Sequence, residues 1–511
     1  MRLLIIKRDL HETVSWRGKK IAVQTLIVLP KDPNGKLPCI NGRECKETEG
    51  KRIAMKCLWS VGIGLITALL LGTSFDTSVA KSDPLAISDH LHVGFSSSDI
   101  TPPVGVPLAG FGGGARRLGF DILSRYPYAT FLVPSEGVLD PIRAKVMALQ
   151  QGKKKLVFIS LDTVAVTAEV RKDLLQHLEK NHGLGPDEVF ISATHTHSGP
   201  GTLSRNLYWS LLAVDAFQQK IYAQILNGVI RGVERAFASL EPAELWAFEF
   251  KTEEIQKNRR DKEGHFDPIT NVLLAKNTKG RWLGGMVNIA IHGTSLNGRN
   301  LRFSADIPGA MERAVQARLK EISGTTANGM PTVLFINGAE GDVAPAKRGR
   351  ENMVKLADSF ADQVVKALPS GRPVDPKWSV TSKEVKLSSA SFNVRGWIKD
   401  KTIRSLIFRE FRLWIGFLLP SETQVWNIQL GDLTFMTWPG EATTSVGFAL
   451  KHTAKKAGVT HPWFMGLTND YLGYHTMEEE YYKSSYESCS SLFGPDGAQQ
   501  ILDAHEKLLK K

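Results

Sequence analysis

The chain has 511 residues, 42% of them hydrophobic, so one large or two to three ordinary domains are expected. Global disorder, a collagen-like repeat and a disulfide-stapled miniprotein are excluded. Its 64 basic and 52 acidic side chains give a net charge of +12, the sign of a nucleic-acid or anionic-membrane binder, but the excess is unevenly placed.

Residues 1–54 are an uncertain upstream segment. "LIIKRDL" and "IAVQTLIVLP" have strand composition, "KDPNGK" and "NGRECKETEGKR" read as turns and polar coil, and none carries identifiable chemistry. Lys51, Arg52 and Lys56 then precede an apolar run from Cys57 to Leu71, and Ser78, Val79 and Ala80 form a small-x-small site. This is the layout of a secretory signal peptide over 55–80, with Met55 a candidate start; a membrane anchor through 57–72 is its main rival. The expectation is an exported protein, periplasmic or extracellular. Cleavage after Ala80 removes 13 basic and 7 acidic residues and leaves 51 against 45, so +12 falls to +6. Cys39, Cys45 and Cys57 precede that point and Cys489 alone follows it, so a metal centre in the body must rely mainly on nitrogen and oxygen ligands.

Beyond the signal, residues 91–117 begin apolar, stop at Pro102 and Pro103, and continue into a glycine-rich loop that lacks a Walker lysine and the GxGxxG spacing. A mobile substrate-side loop is expected there. From Ala144 a strand, a glycine-containing hairpin and a buried strand ending near Asp162 lead into an amphipathic helix from Ala168 to Lys180. "DEVFISATHTHSGPG" is a buried strand with a polar end, and Ala213 to Leu240 has the three-and-four spacing of a long helix. "NVLLAKNTKGRWLGGMVNIAIHGTS" is a hairpin turning at "NTKG", helix follows Pro308, and "MPTVLFINGAEGDVAP" is a further strand ending in glycine and acid. Residues 367–390 are more polar and join two subregions, while 402–420 alternates arginine with apolar residues. Of two readings for that last stretch, a helix packed on the core with snorkelling arginines is preferred to an amphipathic helix touching lipid. Strands alternating with helices predict an α/β fold whose site lies at the strand ends.

The residues able to carry chemistry sit at such ends. His195 and His197 follow one strand, and in extended geometry residues two apart face the same cleft. His292 ends a second strand, and Glu441 follows a third after a proline-glycine turn, where it is either a metal ligand or a helix N-terminal carboxylate. Tyr471, Tyr474, Tyr481, Tyr482 and Tyr486 crowd the C-terminal segment, where spacing alone assigns none of them a role.

"DITPP" with "LAGFG", "THTHSGPG", "KNRR" leading into "FDP", "IHGTS", "NGAEGDVAP", "WPGEATT" and "YHTMEEEYYKSSYE" followed by "LFGP" occur in that order. In this the chain resembles the neutral/alkaline non-lysosomal ceramidase family across nearly all of residues 90–500. The resemblance implies a Zn2+-dependent hydrolase that splits the amide of N-acylsphingosine into sphingosine and a fatty acid. It implies His195, His292, Glu441 and Tyr474 as zinc ligands and His197 beside the bound water and reacting amide. Arg259 and Tyr486 would hold the oxyanion or substrate head, with Asn258 and Thr443 weaker neighbouring candidates. The implied partner is ceramide or another N-acyl lipid, with peripheral contact to membrane or lipid aggregates. Neither nucleic acid nor a specific protein partner is expected.

One departure bears on the chemistry: "GDVAPA" puts Ala344 where the family has a serine. A hydrolase of another amide or ester, or a noncatalytic lipid-binding relative, is therefore the alternative. The basic run "AKRGR" that follows either rims the pocket, favouring an acidic head group, or faces solvent. The expected architecture is one large catalytic domain over 90–500, built around mixed β-sheet with flanking helices. A short C-terminal helical tail over 501–511 leaves no room for the immunoglobulin-like domain that family members often carry.

Overall fold

The computed structural model describes residues 90–510, apart from 113, 119–125, 262–263, 325–328, 399–400, 409 and 484, together with four short N-terminal strands. Those strands, Leu4–Lys7, Thr13–Trp16, Lys19–Ala22 and Leu26–Leu29, pair antiparallel, first with fourth and second with third. The expected signal segment 55–80, with the anchor alternative at 57–72, lies outside the described residues.

In the body, one nine-stranded sheet contains β1 (His92–Asp99), β2 (Arg143–Gln151), β3 (Lys154–Leu161), β4 (Val189–Ala193), β5 (Glu241–Lys251), β6 (Ile269–Asn277), β7 (Trp282–Ile289), β8 (Thr332–Asn337) and β9 (Arg372–Val374). The strand order is β8-β7-β6-β5-β1-β2-β3-β4, with β9 against β5. Both outermost pairs, β7–β8 and β3–β4, are parallel and the pairs between them antiparallel. A smaller sheet runs β10 (Trp378–Lys386), β11 (Glu422–Leu430), β12 (Leu433–Thr437), β13 (His461–Met465), its last pair parallel.

Period-two alternation builds the layers. On β2, Ala144, Val146 and Ala148 face helices, while Met147 and Leu149 face the second sheet. Phe158, Phe190 and Met286 meet Trp426, Phe435 and Trp463 between the sheets. The helix-covered face is shared by α1 (Ala168–His182) with α2 (Gln219–Ala238), and by α3 (Asp306–Ile322) with α4 (Arg350–Ala367). On the outer side of the second sheet, α5 (Thr444–Lys456) and α6 (Gly497–Leu509) bury Val446, Leu450, Ile501 and Leu508 against Met436 and Phe464. The body is a single α/β domain, layered helix, sheet, sheet, helix. Each fully buried Leu or Phe contributes roughly 1.5–3 kcal/mol to it.

The large sheet curls so that β8 lies against β3 and the end of β4. Ser160 Oγ on β3 donates to Phe335 O on β8 at 2.7 Å, and Asn337 Nδ2 donates to Thr194 O at 3.4 Å and Ile291 O at 3.1 Å. The polar ends of β4, β7 and β8 therefore converge.

Several expectations are corrected. Residues 402–420 are no core-packed helix: a turn of helix, Lys401–Ser405, leads to a two-stranded ribbon of Arg412–Trp414 with Ser391–Asn393; Leu406, Phe408, Trp414 and Phe417 are exposed, and Leu419 at its end is buried. The closing helix begins at Gly497 rather than at 501, and its buried side makes it part of the outer layer. The glycine-rich loop is pinned rather than mobile, because the buried Arg116 donates to Ala109 O, to Asn300 O and to His197 O. Lys347 to Arg350, within the basic run, are exposed.

Candidate metal centre

His195 lies two residues beyond β4 and adopts φ +62°, a left-handed conformation uncommon for a non-glycine residue. The pairing with His197 is therefore made by a turn, not by the extended alternation expected from the sequence. Val164 O accepts from His195 Nδ1 at 2.6 Å. His292, beyond β7, likewise donates Nδ1–H to Glu340 O at 2.8 Å, with Val343 O at 3.1 Å. A neutral imidazole with its Nδ1 proton so committed presents a bare lone pair at Nε2.

Those lone pairs converge. His195 Nε2 lies 3.2 Å from His197 Nε2, and Glu441 Oε2 lies 3.1 Å from Nε2 of both His195 and His292. Glu441 is placed by a short parallel ladder, Glu441–Ala442 with Tyr474–His475, and Tyr471 donates its hydroxyl to Oε1 at 2.6 Å. His195, His292 and Glu441 are at most 2% exposed. The ring nitrogens of His195, His197 and His292 lie within 4.8 Å of one another, and so do the donor atoms of His195, Glu340 and Glu441. Acceptors brought this close in a dry pocket repel unless a cation lies among them. Three imidazoles and a carboxylate, with no cysteine, suit zinc.

The remaining expected residues surround this cluster. Tyr474 Oη lies 3.1 Å from His292 Nε2 and accepts from Arg259 Nη2 at 3.0 Å. Arg259 is fixed by Glu487 Oε1 at 3.0 Å and Gly341 O at 2.8 Å. Tyr486 is 60% exposed, its ring 5.3 Å from that of Tyr474 and 5.6 Å from the Arg259 guanidinium carbon. Asn258 and Thr443 do not reach the cluster's lone pairs; Asn258 Nδ2 bonds His265 O and Asp342 Oδ2, and Thr443 Oγ1 bonds Glu480. Ala344 is buried opposite Lys257 in a small antiparallel ladder, next to Val343, whose carbonyl takes the His292 N–H.

Burial, with His195 and His292 alongside, holds His197 well below the usual imidazole range, so its ring is neutral at neutral pH. Burial opposes ionisation of Glu441, and its pKa falls below the ordinary range because positive charge is shared between the carboxylate and the Nε2 atoms of His195 and His292, the place a cation would take. Burial also works against the Arg259 charge, yet Tyr474 and Glu487 hold its pKa above the ordinary value.

Sequence reasoning missed three contributors. Glu340 follows β8 as His292 follows β7, so the strand-end signal that marks the histidines marks it too; both its carboxylate oxygens are buried without a hydrogen-bond partner. Burial and the Glu441 charge push its pKa well up, so its ionisation is disfavoured. Tyr471 and Arg116 have no such local signal, because their roles depend on chain segments that only the fold brings near. Gly110, at φ +77°, leaves room that any Cβ would take from the His197 ring, and Phe111 packs 4.8 Å from that ring.

The sequence model of the neutral/alkaline non-lysosomal ceramidase N-terminal region matches residues 126–366 and 417–503. A neutral ceramidase of Pseudomonas aeruginosa is 23% identical over 428 residues, covering 69% of this chain and 64% of that protein. A neutral ceramidase of Mycobacterium tuberculosis is 23% identical over 431 residues, covering 68% and 67%. Neutral ceramidase A of Dictyostelium discoideum is 26% identical over 223 residues, covering 40% of this chain and 31% of that protein. The chain thus spans at most about two thirds of the length of these relatives. The crystal structure of the Pseudomonas aeruginosa neutral ceramidase shares the fold with a TM-score of 0.65 at 20% identity, over 82% of this chain and 75% of that one. With more than half its length matched in two ordered stretches, the chain belongs to the neutral/alkaline non-lysosomal ceramidase family.

Proposed function

We propose that the chain is a zinc-dependent amide hydrolase cleaving ceramide, or a related N-acyl lipid, to a free amine base and a fatty acid. The convergence of three imidazole lone pairs and the Glu441 carboxylate in one dry pocket carries the reading. His195, His292, Glu441 and Tyr474 would hold the ion, which when bound would acidify a water molecule and polarise the amide carbonyl.

The chain's own residues do the rest. His197, neutral and wedged against Phe111, takes a proton from the attacking water and returns it to the leaving nitrogen. The water oxygen bonds to the carbonyl carbon, the carbon–nitrogen bond breaks, and the amine leaves with the transferred proton. Arg259, charged and braced by Glu487, stabilises the negative charge that develops on the carbonyl oxygen, and Tyr486 at the surface side steadies the head group. An apolar cavity of about 60 Å³ lined by Val164, Val166, Leu203, Trp209, Ile225 and Tyr471 shares residues with the His195 and Glu441 supports, an apolar wall beside the centre rather than a full acyl-chain pocket. The same reading takes the protein as exported, on the basic-apolar-small pattern of 51–80.

Ala344 favours a second reading, in which the same centre hydrolyses a different amide or an ester. Product analysis with ceramide, N-acyl amino lipids and simple esters separates the two. Fatty acid released from ceramide supports the first, turnover of another class supports the second, and no metal-dependent turnover of any contradicts both.

A further inference from the structure

We propose that the excursion over 394–417 is a docking surface for an anionic lipid bilayer. It carries Leu406 at 80% exposure, Phe408 at 84%, Leu413 at 52%, Trp414 at 64% and Phe417 at 71%. Five large apolar side chains so exposed within one short stretch mark an interaction surface rather than ordinary scatter. The composition of the stretch is complementary to an anionic partner: its sequence holds six basic residues against two acidic ones, and among the described side chains Arg395 and Arg404 stand against Glu410. Basic residues set among aromatic and aliphatic ones are the composition of an interfacial segment, which gains from both apolar insertion and attraction to anionic headgroups. As far as residue 416, this excursion lies between the two stretches that match the family.

Its position ties it to the metal centre. Leu418 O, at its foot, accepts from Asn206 Nδ2 at 2.6 Å. Asn206 caps a short helical segment on which Leu207, Leu211 and Leu212 are also exposed, and Trp209 of that segment packs 4.9 Å from the ring of Tyr471, the donor to Glu441. A bilayer seated on 394–417 would thus lie beside a segment reaching the centre through a single aromatic contact. That it delivers substrate rests on the amide-hydrolase reading; the docking itself does not.

The test uses the full chain with vesicles of phosphatidylcholine alone and of equimolar phosphatidylcholine and phosphatidylglycerol. With anionic vesicles, Trp414 emission is expected to shift blue and be quenched by brominated lipid. Trp414→Phe should remove that component from the signal of the chain's 11 tryptophans. Leu406→Ser with Phe408→Ser should weaken partitioning at least about tenfold, and salt should weaken the parent's. Quenching that survives Trp414→Phe unchanged would overturn the proposal, because the apolar run at 57–71 would then be the contact. So would a parent dimer that the serine variant converts to monomer without any vesicle contact at Trp414, since a second copy would then cover the face. Turnover of short-chain ceramide in detergent micelles keeps the two ideas apart. Turnover without Trp414 quenching contradicts docking alone, and quenching without turnover contradicts the hydrolase reading alone.

Discussion

Tyr471 donates a 2.6 Å hydrogen bond to Glu441 Oε1, and the other oxygen of that carboxylate stands 3.1 Å from both His195 and His292. The phenol thereby fixes which lone pairs of Glu441 face the histidines. Partners of this kind orient metal ligands at a value of roughly 10–100-fold in affinity. Tyr471→Phe should lower zinc affinity by about that factor while the fold persists, as read by competition with a chromogenic chelator. Unchanged affinity would mean that the ladder with Tyr474 alone orients the carboxylate.

Glu340 and Glu441 share the pocket with pKa values displaced in opposite directions. Burial and the neighbouring Glu441 charge disfavour ionisation of Glu340, whereas Glu441 lies below its ordinary range and accepts from the Tyr471 hydroxyl. Glu340→Gln replaces the acid by a neutral amide of similar shape, so zinc content should change little. Glu441→Gln removes the charge that offsets the cation and should cost more than about 100-fold in affinity. Equal losses in the two variants, measured by zinc content after dialysis, would contradict this division.

Stability should fall in acid through the buried histidines. His505, between the Asn427 side-chain amide at 2.7 Å and Thr437 O at 2.9 Å, is held down at about 4 by burial. The unfolded chain takes up this proton below its ordinary value of about 6.5, the folded chain only near 4, so stability falls as pH drops through that window and is constant above it. Over the whole window the group costs up to about 3 kcal/mol. His505→Gln should flatten that part of the profile, measured as urea midpoints from pH 7 to about pH 4. An unchanged slope would assign the acid sensitivity to His292 and His475, both depressed to about 3 by burial.

Ala344 tests whether a hydroxyl is needed beside the centre. Its methyl group is buried opposite Lys257, and a serine adds one polar atom there. Attack by water predicts that the parent is already active and that Ala344→Ser shifts KM by no more than about tenfold, the range of one added hydrogen bond. Activity in the serine variant alone would contradict water attack as sufficient.

The strand ends bearing His195, His292 and Glu441 are legible in the sequence because an apolar run stopping at a titratable residue is a local pattern. The conformation of His195 is not: its left-handed turn is imposed by Thr163 O and Val164 O, carbonyls more than thirty residues away. The separate four-stranded sheet is equally hidden, since alternation reveals a buried face but not what covers it. The stretch 402–420 misleads because its apolar content suggests core throughout, while it is its end, Ile415, Leu418 and Leu419, that packs against the outer layer. Tyr471 is visible only as one tyrosine among several until the fold sets it against Glu441.

The most direct test of the central claim is zinc content measured together with fatty-acid release from ceramide, for the full chain and for His195→Ala. The account predicts a single zinc ion per parent chain, release that stops on chelation and returns with zinc, and a variant that folds but neither retains zinc nor releases fatty acid. A parent active after complete chelation, or a His195→Ala variant with undiminished zinc and turnover, would contradict it.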